Sequence, residues 1–505
     1  MSAQEKKLRV GSPLMHRRIA ATPDAGDAPP WDLDTRHALV GKRIPRLDAL
    51  AKVSGRARFP SDVRPGDLLY AAVLRSAIPA GMVKRIELGP ALRMPGVEGG
   101  VLAKEPGKKI RYQGDELCAV CATSRAAAEE ALRKVTLELE PSEHTAERAG
   151  EARQKLPEAD PLPTSLAEVG EAEGDEVELT HVYETQTQMH HPLEPHGITA
   201  RVGADSSVDV WASTQATFGM RAGIAKALEI PQEKVRVHTE HMGGGFGSKL
   251  SPGVEARLCA LLAKQTGKPV QLFVDRRAEA LAVGNRPASL QCLKVKASKA
   301  GKILEWSGKT IGLTGYAGSG RVTSPVSFYL PGKRARLGHE DLRDNQGSAR
   351  AFRAPGHPQG FFAAESIVDE LAYRVGMDPL EFRLKNLAGT LYTEQLKLAA
   401  KEIDWERHSN RSPGRVSGGE RSLRGVGMAI TTWGIWASRG TQVLCRIHPS
   451  GRVEVRNGAQ DIGTGSRTVL GIITAETLGI PVERVDVFLG DTKDPVGPGS
   501  GGSMT

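Results

Sequence analysis

Leu228-Glu-Ile-Pro-Gln-Glu-Lys-Val-Arg-Val237 and Leu478-Gly-Ile-Pro-Val-Glu-Arg-Val-Asp-Val487 share the string L-x-I-P-x-E-[K/R]-V-x-V, 250 residues apart. Upstream of each lies an alternating stretch, Val208-Asp-Val210 and Val453-Glu-Val455, at an offset of 245. Alternation at period two predicts half-buried strands. Between strand and string, Phe218, Ala222, Ala225 and Leu228 form one helical stripe, and Val469, Ile472, Ile473 and Leu478 the other. The repeated unit is therefore strand, loop, helix, proline, strand, with five extra residues in the second copy. A duplicated unit of this kind predicts two related domains with a site between them.

Three glycine-rich loops fall at matching places in this frame. Gly243-Gly-Gly-Phe-Gly-Ser-Lys249 follows the first copy's last strand, Gly463-Thr-Gly465 lies in the five-residue insertion, and Gly499-Ser-Gly-Gly-Ser503 follows the second copy's last strand. The chain holds 57 glycines, where an average usage of about 7% gives roughly 35, and much of the excess sits in such loops. Glycine lets backbone N–H groups approach an anion with no Cβ in the way. The segment Gly463-Thr-Gly-Ser466 also precedes a helix, whose positive N-terminal end favours phosphate. The standard nucleotide fingerprints fail: Lys249 follows Ser248 rather than preceding it, and no G-x-G-x-x-G starts at Gly243 or Gly245. The loops thus fit another phosphate-bearing ligand or plain tight turns.

A fourth loop, Asn345-Gln-Gly-Ser-Ala-Arg-Ala-Phe-Arg-Ala-Pro-Gly356, sets Arg353 between apolar residues. It reads either as a buried anion ligand or as a loop arginine capping carbonyls. His190, His191, Glu194 and His196 cluster, with His238 and His241 further on, but two prolines disfavour a regular metal site. Cys118 and Cys121 sit in a strand pattern, where residues three apart face opposite ways. No nucleophile elbow is present.

Hydrophobic residues make up 39% and charged residues 25%, the balance of a globular chain with a large core. No apolar run reaches 18 residues, which excludes a transmembrane helix. Five cysteines are too few for a disulfide scaffold. The net charge of +9 is spread out, and nucleic-acid binding is not expected. The basic N-terminus lacks an apolar segment, so a cytoplasmic location is expected, with export on a partner's signal left open. The division read from the chain is an N-terminal arm (1–38), a small α+β domain (39–145), a Glu/Ala/Pro-rich linker (146–175), a first large domain (176–390), a connecting segment (391–421) and a last domain (422–505).

Taken in order, Gln215, the Gly243–Gly247 loop, Phe352-Arg353-Ala-Pro-Gly356, Gln460-Asp-Ile-Gly-Thr-Gly465 and Gly499–Ser503 resemble the molybdopterin-binding large subunit of the xanthine dehydrogenase and aldehyde oxidase family. Asp48-Ala-Leu-Ala-Lys-Val-Ser-Gly55 resembles the entry to that family's hammerhead domain. The resemblance implies an α+β fold: an α/β-hammerhead domain, then two related cofactor-binding domains. It implies hydroxylation with water as oxygen source, electrons leaving through the pterin to 2Fe-2S clusters and FAD on partner subunits. The cofactor implied is the molybdenum cofactor in its cytosine dinucleotide form, its metal held by the pterin dithiolene rather than by protein ligands. By the same resemblance Gln215 hydrogen-bonds a molybdenum oxygen, and Gly244, Gly245, Phe246 and Gly247 lie beside the metal. Arg353 holds the cofactor, and Gln460, Gly463, Thr464, Gly465, Gly501, Gly502 and Ser503 belong to loops against pterin and phosphate.

The departures point to a substrate class. Leu250 stands where purine hydroxylases carry a glutamate, Pro355 replaces a purine-stacking phenylalanine, and Thr464 replaces a glutamine of the xanthine branch. An aldehyde or an aromatic N-heterocycle is therefore expected. The family's general-base glutamate lies beyond the GSGGS loop, so no catalytic base is assigned within this chain. The second cofactor domain is read as incomplete, either finished by a separate chain or marking a non-catalytic remnant that binds a partner subunit at most.

Overall fold

The computed structural model describes residues 6–12, 15–21, 35–158, 175–323, 326–329, 335–408, 426–434, 438 and 440–502. The arm, linker and connecting segment fall partly outside these residues, as does Ser503. Among the described residues no helix is long and apolar enough to cross a membrane.

The two copies of the repeat fold alike. Val208–Ala212 pairs in parallel with Val235–His238, setting Val208 against Val235 and Val210 against Val237. Val453–Asn457 pairs in parallel with Val485–Leu489, setting Val453 against Val485 and Val455 against Val487. The crossover helices are Thr217–Leu228 and Ser466–Leu478. Each ends on a left-handed residue, Glu229 (φ 56°) or Gly479 (φ 65°). Each end is then tied by one bond, Ile230 N–H to Ala225 O and Ile480 N–H to Ala475 O, both 3.0 Å. The proline that follows in each copy cannot continue a helix, and it opens a 3₁₀ turn into the next strand. The five extra residues are therefore absorbed in the loop, leaving strand register unchanged.

The second helical stripe is corrected by the structure. Val469, Ile473 and Leu478 are exposed, while Thr468, Gly471 and Ala475 face the sheet. Gly471 packs so closely that an added Cβ would meet Leu47. Ile472 of the expected stripe does pack against the core, with Leu470, but the fully buried positions are small residues, which a search for large apolar ones passes over.

Seven strands form one sheet in the order Val235–His238, Val208–Ala212, Gly197–Val202, Val270–Phe273, Leu69–Arg75, Glu116–Ala122, Val97–Leu102. This sheet crosses the expected boundary between 39–145 and 176–390, through parallel pairing of Val270 with Leu69 and Gln271 with Tyr70. The helices Thr217–Leu228 and Val254–Thr266 pack on it, burying Ile224, Leu228, Leu258 and Leu262. A four-stranded sheet, ordered Ala335–Leu342, Ile303–Leu313, Ala288–Ser298, Glu176–Thr185, carries the helix His357–Arg374. The second repeat forms a three-stranded sheet with Leu444–Ile447. Within the expected linker, Ala149–Gln154 is a helix whose Ala152 is buried against Leu290, Ile311 and Leu342.

Candidate functional site

Gln215 ends the loop between strand and helix of the first repeat and is 2% exposed. Its Oε1 accepts from the backbone N–H of Gly247 (2.8 Å) and of Lys249 (3.3 Å). Its Nε2 donates to the Ser500 carbonyl oxygen at 2.8 Å. One side chain thus ties the GGFG loop to the GSGG loop. An amide nitrogen carries two donors, so one N–H of Gln215 remains beyond its bond to Ser500. The counterpart of Gln215 in the second copy, at the strand offset of 245, is Gln460. Gln460 is fully buried; its Nε2 donates to Gln215 O (2.7 Å) and Ser500 Oγ (2.5 Å), and its Oε1 accepts from Thr217 N–H (3.2 Å). This pairing was readable in the sequence as a glutamine at the same place in both copies.

The GGFG loop bends through left-handed backbone at Gly244 (φ 94°), Phe246 (φ 57°) and Gly247 (φ 117°). At Gly247 an added Cβ would overlap the Ala351 carbonyl oxygen, which brings in the FRAPG loop. Arg353 N–H donates to Phe246 O at 2.8 Å, and its guanidinium lies 4.8 Å over the Phe246 ring. Gly245 abuts the Gln215 side chain. Gln215 therefore touches the GGFG and GSGG loops directly, the FRAPG loop through Phe246 and Gly247, and the DIGTG loop through the preceding Gln460.

Arg353 is exposed, not a buried anion ligand. The buried arginine of this region is Arg286, 5% exposed, which donates to Arg353 O (2.8 Å) and Gln359 Oε1 (3.2 Å). No carboxylate pairs with it among the described residues, and burial pulls its guanidinium down to about 10. Flanked by Asn285 and Pro287, it gave no motif to notice.

In the DIGTG loop Gly463 (φ 104°) and Gly465 (φ 100°) turn the chain around the buried Asp461. The Asp461 carboxylate accepts from the N–H groups of Gly463 (2.8 Å), Gly465 (3.1 Å) and Arg467 (3.1 Å). The amides expected to meet a phosphate at the start of the helix Ser466–Leu478 thus already face a carboxylate of the protein. Thr464 is exposed. Gly501 and Gly502 follow Ser500, with the Leu250 side chain against Gly501.

The histidines serve separate partners. His190 Nε2 lies 2.7 Å from Ala351 O, His196 Nδ1 2.8 Å from Glu279, and His238 Nε2 3.0 Å from Asp209. Among the described residues no three His, Cys, Asp or Glu side chains converge on a metal-sized position. Glu194 pins the GGFG loop from behind, accepting from Ser213 Oγ (2.7 Å), Gly243 N–H (2.9 Å) and Ser61 N–H (3.1 Å). Lys249, 2% exposed, donates to Glu194 O (2.7 Å) and Ser213 Oγ (2.6 Å), and burial brings its ammonium down to about 8. Neither role showed in the sequence, because both depend on partners far along the chain. Cys118 and Cys121 are buried, which pushes both thiols up to about 12 and leaves them unreactive at neutral pH.

Family models described as a molybdopterin cofactor-binding domain match residues 165–387 and 398–505. The chain is 31% identical to the aldehyde oxidoreductase molybdenum-binding subunit of Escherichia coli (strain K12), over 92% of this chain and 67% of that protein. It is 30% identical to the nicotinate dehydrogenase large molybdopterin subunit of Eubacterium barkeri, over 69% of this chain and 89% of that one. Aldehyde oxidoreductase from Desulfovibrio gigas has the same fold, with a TM-score of 0.76 at 22% identity, covering 91% of this chain and 57% of that one. So does a Cu,Mo-CO dehydrogenase, with a TM-score of 0.77 at 20% identity, over 92% and 69%.

Proposed function

Because the chain belongs to the molybdopterin-binding large subunits of the xanthine dehydrogenase and aldehyde oxidase family, we propose that Gln215 and the loops meeting around it seat the cofactor in a complex that hydroxylates an aldehyde or an aromatic N-heterocycle. The chain is a molybdopterin-binding oxidoreductase subunit. The observation that carries the site is the convergence of Gly247, Gln460 and Ser500 on one buried residue, Gly247 and Ser500 on the Gln215 side chain and Gln460 on its carbonyl oxygen. The protein groups fit such a ligand. Left-handed backbone at Gly244 and Gly247 lets the loop bend tightly against Phe246 and Ala351, Gln215 keeps a donor, and the exposed Arg353 guanidinium supplies positive charge above Phe246. Gly463, Thr464, Gly465, Gly501, Gly502 and Ser503 are assigned to the seat by resemblance alone.

When bound, the cofactor supplies two-electron oxidation of an electron-poor carbon, with water as the oxygen source. The work of this chain is to orient that group and keep bulk water out. Glu194 and Lys249 hold the GGFG loop from behind, and Arg286 holds the Arg353 backbone from below. Leu250 makes the neighbouring wall apolar, which favours an aldehyde or flat heterocycle over a polar purine. We assign the cofactor to its cytosine dinucleotide form, and electron transfer to iron–sulfur and FAD partner subunits. A non-catalytic role draws no support from relatives that are themselves oxidoreductase subunits.

The test is metal and nucleotide analysis of the chain purified with its co-expressed partners from cells that make the cofactor. Molybdenum together with released cytidine nucleotide supports the reading. Metal-free protein under those conditions refutes it.

A further inference from the structure

A polar cavity of about 270 Å³ lies where the 39–145 unit meets the first large unit. Its lining is rich in arginine. Two of its cations are neutralised locally: Arg75 pairs with Glu116 at 2.7 Å and Lys104 with Asp115 at 3.1 Å. Three are not paired with a carboxylate among the described residues. Arg111 rests over the Tyr316 ring at 5.7 Å. Arg257 makes no hydrogen bond or ion pair with any described residue. Arg350 donates to Ser248 O (2.6 Å) and Ser251 Oγ (3.4 Å). Against these three stands Glu255, the remaining acid of the lining.

His196 also borders the cavity and is 3% exposed. Its Nδ1 is held by Glu279 Oε1 at 2.8 Å, and its Nε2, across the ring, is buried with no hydrogen-bond partner. Because Nδ1 faces a carboxylate and so donates, the neutral ring presents Nε2 as an acceptor, which a hydroxyl on a ligand, such as that of hydrogen phosphate, would satisfy. Guanidinium groups are suited to carboxylate and phosphate oxygens.

We propose that this cavity binds a small oxyanion, a phosphate or a carboxylate, through Arg111 and Arg257, with His196 Nε2 open to a hydroxyl of the ligand. The volume admits a ligand of a few heavy atoms rather than a nucleotide. Arg350 spans from the cavity wall to Ser248, so the site abuts the back of the GGFGSK loop without sharing its residues. The proposal stands independently of the cofactor assignment.

Isothermal titration of the full chain with inorganic phosphate, and separately with succinate, tests it. Saturable binding of either probe is expected, weakened tenfold or more by Arg257→Met and by Arg111→Met. Which probe saturates identifies the oxyanion. Arg111 has only a ring contact to lose, so its variant keeps the test readable if Arg257→Met fails to fold. No saturable binding of either probe, or binding that a folded variant leaves unchanged, overturns the proposal.

Discussion

The side-chain amide of Gln460 donates to the main-chain carbonyl of Gln215 at 2.7 Å, so the equivalent glutamines of the two repeats touch directly. Each copy contributes its glutamine from the same loop, and the seam between the copies is where they meet. Gln215 then reaches across that seam with its Nε2, to Ser500 O, while its Oε1 holds Gly247 of its own copy.

Gln215→Glu replaces the donor facing Ser500 O with an oxygen. Two acceptors then oppose each other in a buried place, at a cost of about 1–3 kcal/mol. Chemical unfolding should show a lower midpoint with an unchanged slope, and molybdenum content should fall. An unchanged midpoint and metal content would remove Gln215 from its central position.

Gly247→Ala puts a methyl group on backbone at φ 117° and against the Ala351 carbonyl oxygen. Strain and overlap together should cost roughly 2–4 kcal/mol. Gly267→Ala is the control, at φ 64° with open space around it, and should cost about 1 kcal/mol. Equal losses at the two positions would mean that the loop gives way and that the close approach is unimportant.

Asp461→Ala strips the acceptor from three backbone N–H groups at once. A loss of about 1–2 kcal/mol is expected from the cap alone. Asp461→Asn keeps one oxygen and should recover much of it. Amide exchange at Gly463 and Gly465 reads this directly: protection should drop in the alanine variant and return in asparagine.

Lys249 gives a pH signature. Burial brings its ammonium to about 8, against an ordinary value of 10.5. Between these values the unfolded chain holds more protons than the folded one, so stability rises with pH across that window and is lost again as pH falls through 8. The slope is at most about 1.4 kcal/mol per pH unit. Urea unfolding of wild type and Lys249→Met at pH 7.5, 8.5 and 9.5, pH settings chosen at roughly one-unit steps about that window, should show wild type gaining on the variant as pH rises. Parallel curves would mean that Lys249 is not the titrating group.

Much of the repeat was legible because its signals are local. Alternating valines, a proline after each helix and glycine at left-handed turns all act within a few residues, and both copies fold with one register. In the helix Ser466–Leu478, Ile472 packs as expected, but Val469, Ile473 and Leu478 are exposed because close packing selected Gly471 and Ala475 for the fully buried positions. Arg353 drew attention by its motif, whereas Arg286 is buried through contacts to Arg353 and Gln359 that local sequence does not reveal. The pairing of Val270 with Leu69 joins strands some two hundred residues apart, beyond the reach of any periodicity. The order of the motifs pointed to Gln215 and its neighbouring loops, but the bonds from Gln215 to Gly247, Ser500 and Gln460 required coordinates.

That same pairing welds the two units along a backbone ladder. Residues 39–145 cannot swing as a free lid, because any hinge at that junction would tear main-chain bonds. Excising them would leave Val270–Phe273 with a bare edge, ready to capture a strand from another molecule. A shortened form lacking this unit should therefore clump instead of persisting as a tidy monomer.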